Sequence, residues 1–187
     1  MKLMTNTLKI TLLAGALFAF AACETTKKEK DTFLIVTDQQ ILPPVLTKVP
    51  VIEYSGIGIK YECESMYLKN CVVMQDNSAS GRFSIRIVDD ASSAQMKVKF
   101  PAGTYEVLLN EKAKDKNHCA FYLYLDGIAS RVYPGTEPSG DWELTTRSPV
   151  YFKIDEPRTV TVTIMPNSDH AVGSTGMNLD YIQFVKR

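Results

Sequence analysis

What most narrows the possible folds is a two-residue period running through nearly every apolar stretch after Ile57. Phe83, Ile85 and Ile87 alternate with Ser84 and Arg86, and Ala94, Met96, Val98 and Phe100 with Gln95, Lys97 and Lys99. The same holds for Phe121, Leu123 and Leu125, for Val150, Phe152 and Ile154, and for Val160, Val162 and Ile164 among threonines. Successive side chains of a strand point to opposite faces, so this pattern describes strands with one face on a core and one in water. Turn formers separate them: Asp89-Asp90, Pro101-Ala102-Gly103, Asp126-Gly127, Pro134-Gly135, Pro138-Ser139-Gly140 and Pro166-Asn167. No stretch beyond residue 22 sustains a 3.6-residue period. The expected fold is all-β, an antiparallel β-sandwich, and roughly 130 residues suffice for one buried core.

Before that domain the chain is of a different kind. Lys2 and Lys9 flank a polar start, and the uncharged run Ile10–Ala22 is rich in small residues. It fits a secretory leader and is too short to span a bilayer comfortably. Residues 24–31 are charged and without apolar side chains, as a solvated tether is. Phe33-Leu34-Ile35-Val36 is apolar, but Pro43-Pro44 and Pro50 break any regular element beyond it. The segment 33–56 therefore reads as an extended lead-in, with one strand lying along the domain. The expected layout is residues 1–22 as leader, 23–56 as tether and lead-in, and 57–187 as the sandwich.

The leader ends in Phe20-Ala21-Ala22-Cys23. Small residues before a cysteine resemble the lipobox of bacterial lipoproteins, with Phe20 where leucine is usual. The resemblance implies acylation of Cys23 and a membrane anchor at the bacterial cell envelope, periplasmic or cell-surface; several acyl chains hold firmly at about 0.8 kcal/mol per buried methylene. The alternative is an ordinary cleaved leader that leaves Cys23 behind. The chain has 21 basic and 21 acidic residues, and two of the basic ones, Lys2 and Lys9, leave with the leader. That slightly acidic balance gives no electrostatic case for nucleic acid.

Within the domain, Tyr61-Glu62-Cys63-Glu64 places two carboxylates on one face if it opens as a strand. Near the other end stands Asn178-Leu179-Asp180-Tyr181-Ile182. Were the first and last strands neighbours, Glu62, Glu64 and Asp180 would form a cluster of hard oxygen donors of the kind calcium takes. The competing reading is a solvated acidic face.

These stretches, with Pro101-Ala102-Gly103-Thr104-Tyr105, Leu125-Asp126-Gly127 and Gly140-Asp141-Trp142 between them, resemble carbohydrate-binding modules of families 6 and 35. The resemblance runs from Tyr61 to Lys186. It implies a galactose-binding-like jelly roll without catalytic machinery and a structural calcium held by Glu62, Glu64 and Asp180, with a carbonyl from Ser80–Arg82 added. It also implies a sugar site in the loops at one end, where Trp142 stacks on a pyranose and Asn178 orients it. The segment Arg82–Asp89 lacks the second aromatic that often completes such a site. Trp142 is also the chain's sole tryptophan, and such a residue is as readily a core or edge residue. Asn178 has a plain use as a turn former.

Of the four cysteines, lipidation of Cys23 would leave Cys63, Cys71 and Cys119, with one disulfide possible among them and Cys63 expected in the core. No spacing suits zinc, and adjacent His118-Cys119 face opposite ways on a strand. Glu62 with Asp180 could mimic a glycosidase pair, but motif order favours metal. Two readings result: a lipid-anchored protein that captures oligo- or polysaccharide, or a structural and protein-interaction sandwich that kept the fold alone. The first requires Trp142 exposed beside Asn178; the second requires it buried.

Overall fold

The computed structural model describes residues 42–113, 120–132, 140–146, 149–166 and 177–187, and its compact unit is Pro43–Arg187. The alternating stretches are strands, and they form an antiparallel-rich β-sandwich. In chain order these are β1 (Val51–Glu53), β2 (Tyr61–Glu62), β3 (Tyr67–Lys69), β4 (Cys71–Gln75), β5 (Phe83–Ile87), β6 (Ser93–Phe100) and β7 (Gly103–Lys112). Next come β8 (Phe121–Leu125), β9 (Ile128–Val132), β10 (Glu143–Leu144), β11 (Val150–Ile154), β12 (Arg158–Pro166) and β13 (Asn178–Lys186). One sheet runs β1-β6-β12-β8-β9, with β3 also on β6; the other runs β10-β7-β13-β5-β4, with β11 on β7 and β2 on β13. Only β1 lies parallel to its neighbour among these pairings.

The inward rows meet as the alternation requires. Ile164 sits between Ala94 and Leu123, and Val98 between Val160 and Ile52; Ala94, Leu123, Val98 and Val160 are closed to solvent. One end of the core is aromatic: Phe100 meets Tyr105 at 4.8 Å and Phe184 at 4.9 Å between ring centroids. Burying such a side chain stabilises the fold by about 1.5–3 kcal/mol. Tyr105 satisfies its hydroxyl by donating to the Pro101 carbonyl at 2.8 Å.

The long strands β7 and β13 do not alternate. On β7, Tyr105–Val107 and Leu109–Glu111 are all buried, because a strand with partners on both sides and cover on both faces has little wet surface. On β13 the register against β7 shifts between Leu179 and Ile182. That bulge lets both residues face the core although they are three apart.

The lead-in is part of the sandwich. The Pro50 carbonyl accepts a hydrogen bond from the Lys97 amide at 2.8 Å, and the Tyr54 amide donates to the Lys99 carbonyl at 3.0 Å, so β1 extends the sheet at its edge. Upstream, Pro43–Leu46 lie over a cavity of about 110 Å³ whose other walls include Glu64, Met66, Leu68, Cys71 and Val73. Cys23 and Phe33–Val36 lie outside the described residues.

Candidate functional site

The first and last strands are neighbours: β2 pairs with β13 through Glu62 opposite Tyr181 and Tyr61 opposite Ile182. The two glutamates do not share one strand, however. β2 ends at Glu62, and Cys63–Ser65 form a 3-10 turn closed by the Met66 amide on the Cys63 carbonyl at 3.1 Å. Cys63 itself turns fully into the core, and the turn falls at the point where the period-two rule assumed extension. Asp180 reaches the same corner from the bulge of β13.

A short loop completes the corner. The Ser80 amide donates to Asp180 Oδ2 at 3.0 Å, the Ser80 hydroxyl to Glu62 Oε1 at 2.8 Å, and the Asn110 amide nitrogen to Asp180 Oδ2 at 2.9 Å. One oxygen of each carboxyl, Glu62 Oε2, Glu64 Oε2 and Asp180 Oδ1, is buried with no hydrogen-bond partner. Burial pushes all three carboxyls upward in pKa, and Glu64 reaches about 7 with Glu62 and Asp180 adding to the effect. Lys60, which stands 4.4 Å from the Tyr181 ring centroid, works against the rise at Glu62 and Asp180.

Three buried orphaned carboxylate oxygens are a donor set suited to a hard dication, because each lacks the partner that burial demands. Among the described residues no group of three or more His, Cys, Asp or Glu already stands in a metal-holding arrangement. The backbone also keeps the space clear. Gly81 has a φ of +62°, and a Cβ there would lie 3.3 Å from Glu64 Oε1 and 3.9 Å from the Glu62 carboxyl carbon. Gly81→Ala should therefore cost about 1–2 kcal/mol through its left-handed backbone and lower the melting temperature by roughly 3–6 °C. A thermal melt equal to the parent's would show that the turn is not held in that conformation.

The other predicted residues form a polar row on the same sheet. Asn178 lies opposite Lys112 of β7 on one side and Arg86 of β5 on the other. Its Oδ1 accepts from Arg86 Nε at 3.0 Å. Trp142 is half-buried, donates from Nε1 to the Ser78 hydroxyl at 3.0 Å, and has Lys112 Nζ at 5.5 Å from its ring centroid. Lys112 therefore joins Trp142 to Asn178. Lys112 also reaches Asp76 Oδ2 at 3.4 Å, and the Ser78 amide and hydroxyl hold Asp76 Oδ1; these contacts, the Ser78 hydrogen bonds foremost, keep the Asp76 carboxyl below its usual pKa. One loop, Asp76–Arg82, thus carries Ser78 to the tryptophan and Ser80 to the acidic corner.

Sequence reasoning missed Ser78, Asn110, Lys112 and Glu111, and it placed Ser80 at the acidic corner only within the Ser80–Arg82 loop, as a source of a carbonyl rather than of the amide and hydroxyl that reach Asp180 and Glu62. Glu111 is 1% exposed, faces Glu143 across β7 and β10, and leaves Oε2 without a partner; burial and Glu143 push its pKa to about 8. Cys63 and Cys71 are free thiols, both pushed up by burial, Cys71 to about 11. Cys119, His118 and His170 lie outside the described residues.

Comparison with solved structures bears on the fold. A family 35 carbohydrate-binding module from Clostridium thermocellum aligns with a TM-score of 0.51 at 16% identity, over 68% of this chain and 98% of that one. The chain has the jelly-roll fold of such modules. A GH26-CBM35 β-(1,4)-mannanase from Podospora anserina aligns with a TM-score of 0.54 at 18% identity, over 69% of this chain and 27% of that one. An exo-β-1,3-galactanase from Phanerochaete chrysosporium, solved with β-1,3-galactotriose, gives 0.53 at 15% identity, over 69% and 29%. The chain thus corresponds to less than a third of each of these two enzymes and to nearly all of the isolated module. No protein-family model matches the chain, and no curated relative is found.

Proposed function

We propose that this chain is a non-catalytic glycan-binding protein of the bacterial cell envelope, anchored through acylated Cys23 and stiffened by a structural calcium. The observation that carries the reading is the Trp142–Lys112–Asn178 row. An indole with one edge fixed by Ser78 stands beside an amide and two cationic donors, Lys112 and Arg86. Such a set can stack on the C–H face of a pyranose and hydrogen-bond its hydroxyls. The half-buried, polar setting of Trp142 speaks against the interaction-scaffold reading, which needs the indole in the core.

Glu62, Glu64 and Asp180 would hold the calcium, which supplies charge neutralisation to a buried acidic corner. The corner ties β2, the Asp76–Arg82 loop and β13 together, and Asn178 stands two residues from Asp180 on the same strand. A glycosidase role for Glu62 and Asp180 is disfavoured because Asp180 is 1% exposed and Ser80 bonds to both. A sugar ring cannot stand between them.

The test is a glycan array probed with the full chain in calcium, and again with Trp142→Ala. Binding that the substitution lowers by about tenfold or more, the loss of roughly 1.4 kcal/mol, supports the reading and names the ligand class. A folded protein silent on every glycan, or release of reducing sugar from one, overturns it.

A further inference from the structure

The indole of Trp142 is carried by a very small element. β10 is two residues long, Glu143 and Leu144, and pairs with β7 through Glu111 and Asn110. Its far end is pinned. The Thr145 amide donates to the Leu109 carbonyl at 2.9 Å, the Leu109 amide donates to Thr145 Oγ1 at 2.9 Å, and Thr145 is closed to solvent. At the near end stands Trp142, with Gly140 before it in the left-handed region at a φ of +81°. Continued by one position, the ladder brings Trp142 to Lys112, whose Nζ lies 5.5 Å from the ring centroid. Between the pinned end and the indole comes one cross-strand pair, Glu143 opposite Glu111.

Like charges placed directly opposite destabilise a sheet, and one member of this pair is the buried Glu111 with its unpartnered Oε2. Its surroundings hold no described cation. On β13 it faces Leu179, and the next carboxyl, Asp180, is taken up by Ser80 and Asn110. β11 joins β7 from Gly103 to Val107, away from Glu111. The inward side chains of the other sheet, Met96, Leu123 and Val162 among them, are apolar. Lys112, next along β7, points to the opposite face, where it reaches Asp76 and Trp142. Among the described residues Glu143 is therefore the charge that Glu111 meets. Burial first and Glu143 second keep the Glu111 proton in place up to about pH 8.

We propose that Glu111 is a positioning residue for Trp142: protonated, it lets β10 lie on β7 with the indole seated, and ionised, it drives Glu143 and the indole away. Loss of the proton leaves a buried charge with no described cation to answer it, beside the charge of Glu143. The easiest relief is local, at the strand with fewest bonds to break, swinging about Thr145. The hydrogen bond from Nε1 to Ser78 and the Lys112 contact go with it. The movement stands on the geometry of β7 and β10. Its consequence, a glycan site that holds in acid and neutral surroundings and lets go in alkaline ones, rests on the glycan-binding reading above.

Trp142 is the sole tryptophan, so its emission reports the movement with no ligand present. In the full chain, raising the pH should shift that emission to the red and open the indole to acrylamide quenching, with a midpoint at about pH 8. Far-ultraviolet circular dichroism should stay constant over the same range. Glu111→Gln should keep the low-pH emission throughout. If that variant does not fold, Glu143→Gln should move the midpoint to lower pH, since it removes the repelling charge and leaves the burial. A glycan identified on the array should bind the parent about threefold or more weakly above the midpoint than below it, as the seated fraction falls to about a third or less. The Glu111→Gln profile should be flat. Emission indifferent to pH, a shift that comes with loss of strand signal, or a transition that survives in Glu111→Gln overturns the proposal; the last is what Glu64 acting through the Asp76–Arg82 loop would give. An emission change with that pH profile, in a protein that binds no glycan at any pH, supports the movement and removes the glycan reading instead.

Discussion

Calcium should raise the melting temperature of the full chain by roughly 10 °C when present at about a hundred times its dissociation constant, a linkage of about 2.7 kcal/mol. Asp180→Ala should abolish the response. The reason lies in the three buried oxygens without partners on Glu62, Glu64 and Asp180, each of which costs stability until something satisfies it. An ion shared by all three relieves that cost and their mutual repulsion together. Protons compete for the same oxygens, and Glu64 titrates near 7, so the calcium-linked rise should grow between about pH 6 and pH 8. Differential scanning calorimetry with and without chelator checks this. A melting temperature indifferent to calcium at about pH 8 would remove the metal from the account of this fold.

The second large effect is expected from Glu111→Gln. Its side chain is closed off from solvent with one oxygen unpartnered and Glu143 opposite on β10, and its pKa in the fold is about 8 against an ordinary value of 4.5. The unfolded chain therefore gives up this proton first as pH rises. The stability that the neutral acid supports is complete below about pH 4.5 and drains away until about pH 8, on the order of 4 kcal/mol in all. Glutamine keeps the shape and cannot ionise. The variant should thus gain on the parent steadily from about pH 5 to about pH 8 and hold a constant lead above that. Urea titrations at several pH values measure the difference directly; a gap independent of pH would mean that Glu111 finds a partner for its charge.

How much of this could be read from the sequence depends on which face of a strand meets water. β6, β8 and β11 have a wet or half-wet face, so Ala94–Phe100, Phe121–Leu125 and Val150–Ile154 announce themselves by alternation. β7 does not, because Glu106, Asn110 and Glu111 are buried beside Tyr105 and Leu109, and a strand covered on both faces loses its period. The acidic corner was legible as residues but not as geometry: a 3-10 turn over Cys63–Ser65 parts the two glutamates. The bulge that brings Asp180 in left a trace, since Leu179, Ile182 and Phe184 all face the core and their spacing of three then two breaks the rhythm. Trp142 gave no sign of Lys112 or Ser78, because strand pairing and a loop from elsewhere in the chain set those contacts.

The parallel seating of β1 bears on how force travels through the molecule. A pull on the chain before Pro50, directed along β1, strains the pairs Val51–Lys97, Ile52–Val98 and Glu53–Lys99 together in shear instead of peeling them open one by one. The load passes to β6 and then to β12, which β6 meets from Phe100 to Ala94. That route stays within one sheet, whereas Pro43–Leu46 upstream lie over a cavity walled by Glu64 of the acidic corner, so the same pull also loads that contact.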